Sequence, residues 1–238
     1  MTRTVEVLPD SATLIQRGLE ITLACCQTAL ADRGQFSLAL AGGSTPKPLY
    51  AALATQDLPW EKLQVFWGDE RYVPADHPDS NEGMARQAWL NHVAIPPENI
   101  HPIPTGFSDP QAAAQAYEQH LQTCFDTAPG EFASLDLILL GIGPDGHTAS
   151  LFPHTDALQV RDRSITVGNK DGQPRITFTA PLINQARCVL FLVTGANKKH
   201  ALNQIFAETG DDFSYPARLI QPQGQLIWLL DQAAATGE

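Results

Sequence analysis

The stretch that most restricts what this chain can fold into is LDLILLGIGPDGHTASLFP, from Leu135 to Pro153. Leu135 to Leu140 is short and almost bare of polar residues, the pattern of a strand buried on both faces. It stops at three glycines in six residues, Gly141, Gly143 and Gly146, with Pro144 and Asp145 among them. His147 follows at once, and then a short apolar turn that Pro153 ends. A doubly buried strand that delivers a glycine-rich loop and a histidine to its C-terminal end is how open α/β sheets present chemistry.

The rest of the chain alternates strand and helix around that stretch. Thr4 to Leu8 reads as an edge strand. Asp10 or Ser11 caps a long helix whose apolar face runs Ile15, Leu19, Leu23, Cys26 and Leu30. A buried strand over Phe36 to Ala41 precedes a helix from Pro46 to Ala54, and Leu63 to Trp67 is the next strand. Ser80 or Asn81 caps a helix through His92. A proline-rich connection (Pro96, Pro97, Pro102, Pro104) leads to a helix from Pro110 to Phe125, with Asp109 as its cap. After the central strand come weaker strands near Ser164–Val167 and Arg175–Ala180. A strong strand, Cys188 to Val193, feeds a helix from Asn197 to Ala207, and Leu226 to Leu230 closes the series. Such repetition predicts an α/β fold: a mostly parallel, Rossmann-like open sheet with helices on both faces. With no internal repeat, a single domain over residues 1–238 is expected.

Composition narrows the function. Apolar residues make up 43% and charged residues 17%, the balance of a globular chain, and no run approaches the ~18 apolar residues of a membrane span. MTRTVEVLPD lacks the apolar core of a signal peptide, so a cytoplasmic location is expected. Cys25, Cys26, Cys124 and Cys188 have neither a zinc spacing nor a redox Cys-x-x-Cys, and read as buried, reduced thiols. A net charge of −11 argues against nucleic acid and anionic membranes as partners. An anionic substrate would then need a local cluster of Arg and Lys.

Four strand-to-loop junctions fall on one sheet edge. In AGGSTPKPLY, Gly42 and Gly43 allow a tight turn, Ser44 or Thr45 can cap the helix, and Pro46 fits its first turn; free N–H groups there suit a phosphate. The Gly-Lys-Ser/Thr ending of a Walker loop is missing. In WGDERYVP, Asp69, Glu70 and Arg71 come straight off a buried strand, although a loop charge triplet is commonly just solvated; Ser80 and Asn81 fit a helix cap better than ligands. Gly141-x-Gly143-x-x-Gly146 matches a dinucleotide fingerprint formally, but Pro153 and His154 cut off any helix after less than two turns. Its glycines instead bring backbone donors and His147 near a small substrate. In VTGANKKH, Lys198 and Lys199 occupy a helix start, where the dipole disfavours cations unless an anion binds. Arg175, heading RITFTAP, is a further candidate.

GGSTPKPLY, GDERYVPADHPDSN, GIGPDGHTASLFP, PRITFTAP, TGANKKHAL and PARLIQP, in this order, resemble the bacterial 6-phosphogluconolactonase family. The resemblance spans most of the chain and implies a sugar-phosphate isomerase/CoA transferase-like fold and hydrolysis of 6-phospho-D-glucono-1,5-lactone. Related glucosamine-6-phosphate deaminases carry a glutamate shortly after the loop histidine, where this chain has Ser150, Leu151 and Phe152. The resemblance implies His147 as the base acting on water, since an imidazole of pKa ~6.5 suits that task near neutral pH. Asp145 or Asp69 would orient the ring. Arg71 would meet the carbonyl oxygen or a ring hydroxyl, helped by loop N–H groups such as that of Gly143. Gly42, Gly43, Ser44 and Thr45 with Arg175 and Lys198 would hold the phosphate, and which of Lys198 and Lys199 meets it stays open. The partner expected is a phosphorylated sugar lactone bound by a monomer, with no cofactor and no metal, the histidines lacking any spacing such as H-E-x-x-H. A deaminase or isomerase on the same fold and a non-catalytic sugar-phosphate sensor are the rival classes.

Overall fold

Local signals fix the helix starts. Asp10 and Asp109 each place a carboxylate oxygen on a first-turn N–H, at 2.7 Å from Thr13 N and 3.0 Å from Gln111 N. Ser80 does the same with its hydroxyl for Gly83 N, at 3.0 Å. The computed structural model describes residues 3–237. In chain order its elements are β1 (Arg3–Leu8), α1 (Ser11–Arg33), β2 (Phe36–Leu40), α2 (Lys47–Leu53), β3 (Leu63–Trp67), β4 (Asp69–Arg71), α3 (Asn81–Ala88), β5 (Ile100–His101) and α4 (Pro110–Phe125). There follow β6 (Leu137–Leu140), β7 (Ile165–Lys170), β8 (Gln173–Phe178), α5 (Ala180–Ile183), β9 (Cys188–Val193), α6 (Lys199–Phe206), β10 (Gln225–Asp231) and α7 (Gln232–Thr236).

Seven strands form one sheet in the order β1-β10-β9-β6-β2-β3-β5, and every neighbouring pair is parallel. Each residue of β2, β6 and β9 is buried, which requires cover on both faces of the sheet. The chain runs from β2 outward through β3 to β5, then returns to the other side of β2 as β6 and runs outward through β9 to β10. The order therefore reverses between β2 and β6, and a crevice opens beyond their C-terminal ends.

Five features differ from the sequence reading. The Asp69–Arg71 triplet is a strand, not a loop: β4 pairs with β8, and β8 with β7, in a separate antiparallel sheet. That small sheet joins the large one through Gly68, whose N–H donates to Leu40 O and whose carbonyl accepts from Phe178 N. The helix expected through His92 breaks after Ala88 into a 3-10 turn at Leu90–His92, and the one expected from Asn197 starts as a 3-10 turn over Ala196–Lys198. Inside the proline-rich connection a two-residue strand, β5, completes the sheet edge. Cys26 and Cys188 are buried, but Cys124 is exposed on α4, so the reading of four buried thiols fails there.

At the opposite end of β2 and β6, Asp136 holds the two strands in register. Its carboxylate accepts from Ser37 N at 2.8 Å and Ser37 Oγ at 2.9 Å, and it pairs with Arg33 at 2.9 Å and Arg187 at 3.3 Å. Because Asp136→Ala would strand a buried N–H and uncouple both arginines, it should lower the unfolding free energy by about 2–3 kcal/mol in a urea titration.

Candidate active site

A cleft of about 330 Å³ lies at the C-terminal ends of β2 and β6. It is lined by Gly42, Gly43, Ser44, Thr45, Asp69, Arg71, Gly143, His147, Arg175 and Lys198, so of the residues expected to serve the substrate only Asp145 and the alternative lysine, Lys199, are not in its wall. Asn81, Ala149, Ser150, Phe152 and Lys170 complete much of the rest. A larger hollow of about 580 Å³ sits at the N-terminal strand ends, but its arginines, Arg33 and Arg187, are balanced by two carboxylates, Asp136 paired with both and Asp32 with Arg33.

His147 emerges from the loop after β6. Its Nδ1 lies 2.6 Å from Asp145 Oδ1, and its backbone N–H donates to the same oxygen at 3.2 Å. With Nδ1–H given to Asp145, Nε2 keeps a free lone pair. Burial alone would raise the Asp145 carboxyl, but the hydrogen bond and charge of His147 outweigh it and hold the group at about 2. Phe152 packs on the imidazole with ring centroids 4.6 Å apart. The pair lies over Gly143: a Cβ there would stand 2.1 Å from His147 Nδ1 and 2.3 Å from Asp145 Oδ1, so no side chain fits. No helix follows the loop; a Thr148–Leu151 bridge turns the chain instead, with Ala149 at φ 47°, a strain of ~1–3 kcal/mol held by the surroundings.

Asp69 does not touch the imidazole. Its carboxylate accepts the Ser150 hydroxyl at 2.6 Å. The neighbouring Glu70, unremarked in the sequence beyond its place in a charge triplet, is an organiser: its carboxylate accepts from Arg71 N, Ser80 Oγ, Asn81 N and Glu82 N at 2.7–3.2 Å. Burial pushes its carboxyl up against those donors. This clasp fixes β4 to the start of α3. It carries Asn81 into the cleft wall, where Nδ2 donates to Asp69 O at 2.9 Å while the buried Oδ1 finds no partner among the described residues. A Cβ on Gly42 would stand 2.0 Å from that Oδ1, so the missing side chain at Gly42 is what admits Asn81. Asn81 was legible only as a cap residue, because its approach to Gly42 depends on tertiary placement.

Arg71 and Arg175 stand directly opposite one another in the β4–β8 ladder. Like charges in that position repel and weaken a sheet. Burial and then the charge of Arg71 pull the Arg175 pKa down, against the pull of Asp69, Asp79 and Glu70. Arg71 donates to Asp79 O at 2.6 Å, and neither arginine makes an ion pair among the described residues. Lys198 is half-buried and likewise unpaired, and burial lowers its pKa although Asp145 opposes the shift. Lys199 points elsewhere, its Nζ donating to Thr236 O. The expected Ser44 or Thr45 cap on α2 is absent: the N-cap is Pro46, and Thr45 Oγ1 instead meets Thr194 Oγ1 at 3.0 Å. That leaves the Gly42 to Thr45 N–H groups without backbone acceptors among the described residues. An anion seated in the cleft would find three uncompensated cations and these N–H groups. Among the described residues, three metal-donor side chains close enough to share one ion occur at His101, His120 and Cys124, none of which lines the cleft.

The sequence profile of the family described as glucosamine-6-phosphate isomerases/6-phosphogluconolactonase matches residues 9–228. A 6-phosphogluconolactonase from a Nostoc strain is 64% identical over 98% of this chain and 98% of its own length. One from a Synechocystis strain is also 64% identical, over 97% of this chain and 96% of its own. The solved structure of 6-phosphogluconolactonase from Trypanosoma brucei superposes with a TM-score of 0.89 at 34% identity, covering 98% of each chain. Fold, motif order and these relatives agree, and the chain belongs to the glucosamine-6-phosphate isomerase/6-phosphogluconolactonase family.

Proposed function

We propose that this chain hydrolyses 6-phospho-D-glucono-1,5-lactone to 6-phospho-D-gluconate, the second step of the oxidative pentose phosphate pathway, with His147 as general base. The observation that carries the reading is the facing pair Arg71 and Arg175, which with unpaired Lys198 lines the same cleft as the His147 imidazole. A chain of net charge −11 that concentrates uncompensated cations in one crevice is suited to a phosphorylated substrate.

A lactone is an activated ester, so its opening needs a base, a donor for the developing oxyanion and a grip on the distant phosphate. His147 Nε2 takes a proton from water as the water oxygen bonds C1. Asp145 holds the ring in the required tautomer and stabilises the imidazolium that forms. Charge that gathers on the carbonyl oxygen is met by Arg71; the Gly143 N–H expected to help is instead spent inside the loop, on His147 O at 2.9 Å. As the tetrahedral intermediate collapses, the C1–O bond to the ring oxygen breaks and the imidazolium returns its proton to that oxygen. Arg175, Lys198 and the Gly42–Thr45 backbone hold the phosphate and thereby position C1. Asp69 acts through Ser150, bracing the turn beyond His147.

Acid release from freshly made 6-phosphogluconolactone, followed in a pH-stat, checks the activity, and glucosamine 6-phosphate should release no ammonia. His147→Ala should lower kcat by ~10²–10⁴; an unchanged rate would remove it from the mechanism. Gly143→Ala should displace the His147–Asp145 pair and lower kcat ~10²-fold with the fold intact by circular dichroism. Lys198→Ala should raise KM for the phosphorylated lactone about 10- to 100-fold yet leave KM for unphosphorylated gluconolactone nearly unchanged. Equal effects on both substrates would count against a phosphate role.

A further inference from the structure

We propose that His101, His120 and Cys124 form a site for a thiophilic divalent transition ion, zinc first, with three protein ligands and a fourth position open to solvent. The site lies at the sheet edge, where α4 crosses β5, and nothing in the lactonase chemistry uses it. His120 and Cys124 stand four residues apart on α4, so both project from one face of the helix. His101 comes from β5 beneath that face and is buried, whereas the other two are exposed, which gives an ion a path in.

The donor atoms are near the spacing a tetrahedral ion needs. Cys124 Sγ is 3.5 Å from His120 Nε2 and 3.9 Å from His101 Nδ1, and the two ring nitrogens are 2.8 Å apart. With Zn–N near 2.0–2.1 Å and Zn–S near 2.3 Å, tetrahedral angles put nitrogen and sulfur roughly 3.6 Å apart and two nitrogens roughly 3.3 Å apart. Side-chain adjustments of about half an ångström therefore close the site.

His101 is prepared for the role from behind. Its Nε2 lies 2.7 Å from Gln64 Oε1, an acceptor only, so Nε2 carries the proton and Nδ1 presents its lone pair to the cluster. Phe66 stacks on the ring at 4.4 Å, and the Tyr117 hydroxyl donates to His101 O at 3.1 Å, fixing ring and backbone together. Without metal, the His120 Nε2 proton bridges to His101 Nδ1. On binding, His120 takes its Nδ1–H tautomer, Cys124 loses its thiol proton to solvent, and the ion replaces the bridging proton. A hydrogen-bonded histidine pair would account for the two rings alone, but not for a cysteine whose sulfur lies within 3.9 Å of both donor nitrogens. Two nitrogens and a sulfur suit zinc or cobalt rather than magnesium or calcium.

Tag-free protein stripped with chelator and titrated with Co²⁺ tests the site. The expected result is one ion per chain with a thiolate-to-cobalt charge-transfer band, both lost on adding Zn²⁺. Cys124→Ser should abolish that band, and Cys124→Ser and His120→Ala, each removing a direct ligand, should each weaken Zn²⁺ binding by at least ~10-fold. Both variants alter exposed helix positions and should keep lactone hydrolysis, so a metal result is separable from failure of the catalytic reading. Absence of the charge-transfer band, or unchanged Zn²⁺ affinity in both variants, would overturn the proposal.

Discussion

The structure depends on two neighbouring strands, β2 and β6, that are buried on both faces and can therefore offer chemistry only where they end. At their N-terminal ends the constraint is met by Asp136, which ties Ser37, Arg33 and Arg187 together. At their C-terminal ends the chain leaves in opposite directions along the sheet and opens the crevice. One end consumes its charges in mutual pairing. The other leaves them unpaired, and that asymmetry separates the end that stabilises the fold from the end we propose binds substrate.

The unpaired charges carry an energetic burden. A protein with an excess of acidic residues could readily supply a carboxylate for Arg175 or Lys198, and it pairs most of its other arginines in this way. Placing Arg71 and Arg175 opposite one another in a two-strand ladder adds repulsion that an anion would relieve. The neighbouring carboxylates are engaged elsewhere: Glu70 with backbone N–H groups, Asp69 with Ser150, Asp145 with His147. These three carboxylates turn their oxygens to other donors and so form no direct ion pair with the cations, although the charges of Asp69 and Glu70 still act on Arg175 and that of Asp145 on Lys198.

Close approach is the second theme. Gly143 yields the space above its Cα to the His147–Asp145 pair, and Gly42 yields its space to Asn81. In both places a polar side chain reaches the cleft because another has been removed. Ala149 holds a left-handed backbone just beyond His147, a strain supported by the Ser150 contacts to Asp69 and Thr177.

Much of this was legible in the chain because it is local. Buried runs ending in glycines marked β2 and β6, Asp10, Asp109 and Ser80 marked helix starts, and the loop after Leu140 put His147 at a strand end with Asp145 two residues away. Motif order identified the family. What the sequence could not carry was anything set by register or by contact between distant segments. A charge triplet reads as a loop until β8 is there to pair with it, so the opposition of Arg71 and Arg175 exists only in the ladder. Lys198 and Lys199 are adjacent in sequence, yet the turn into α6 sends one to the cleft and the other to α7. His101 joins His120 and Cys124 only because β5 adds to the sheet beneath α4. Local hydrogen bonding and hydrophobic period determined the elements; the tertiary fold decided which charges stand unpaired, because pairing is a property of distance in space and not along the chain.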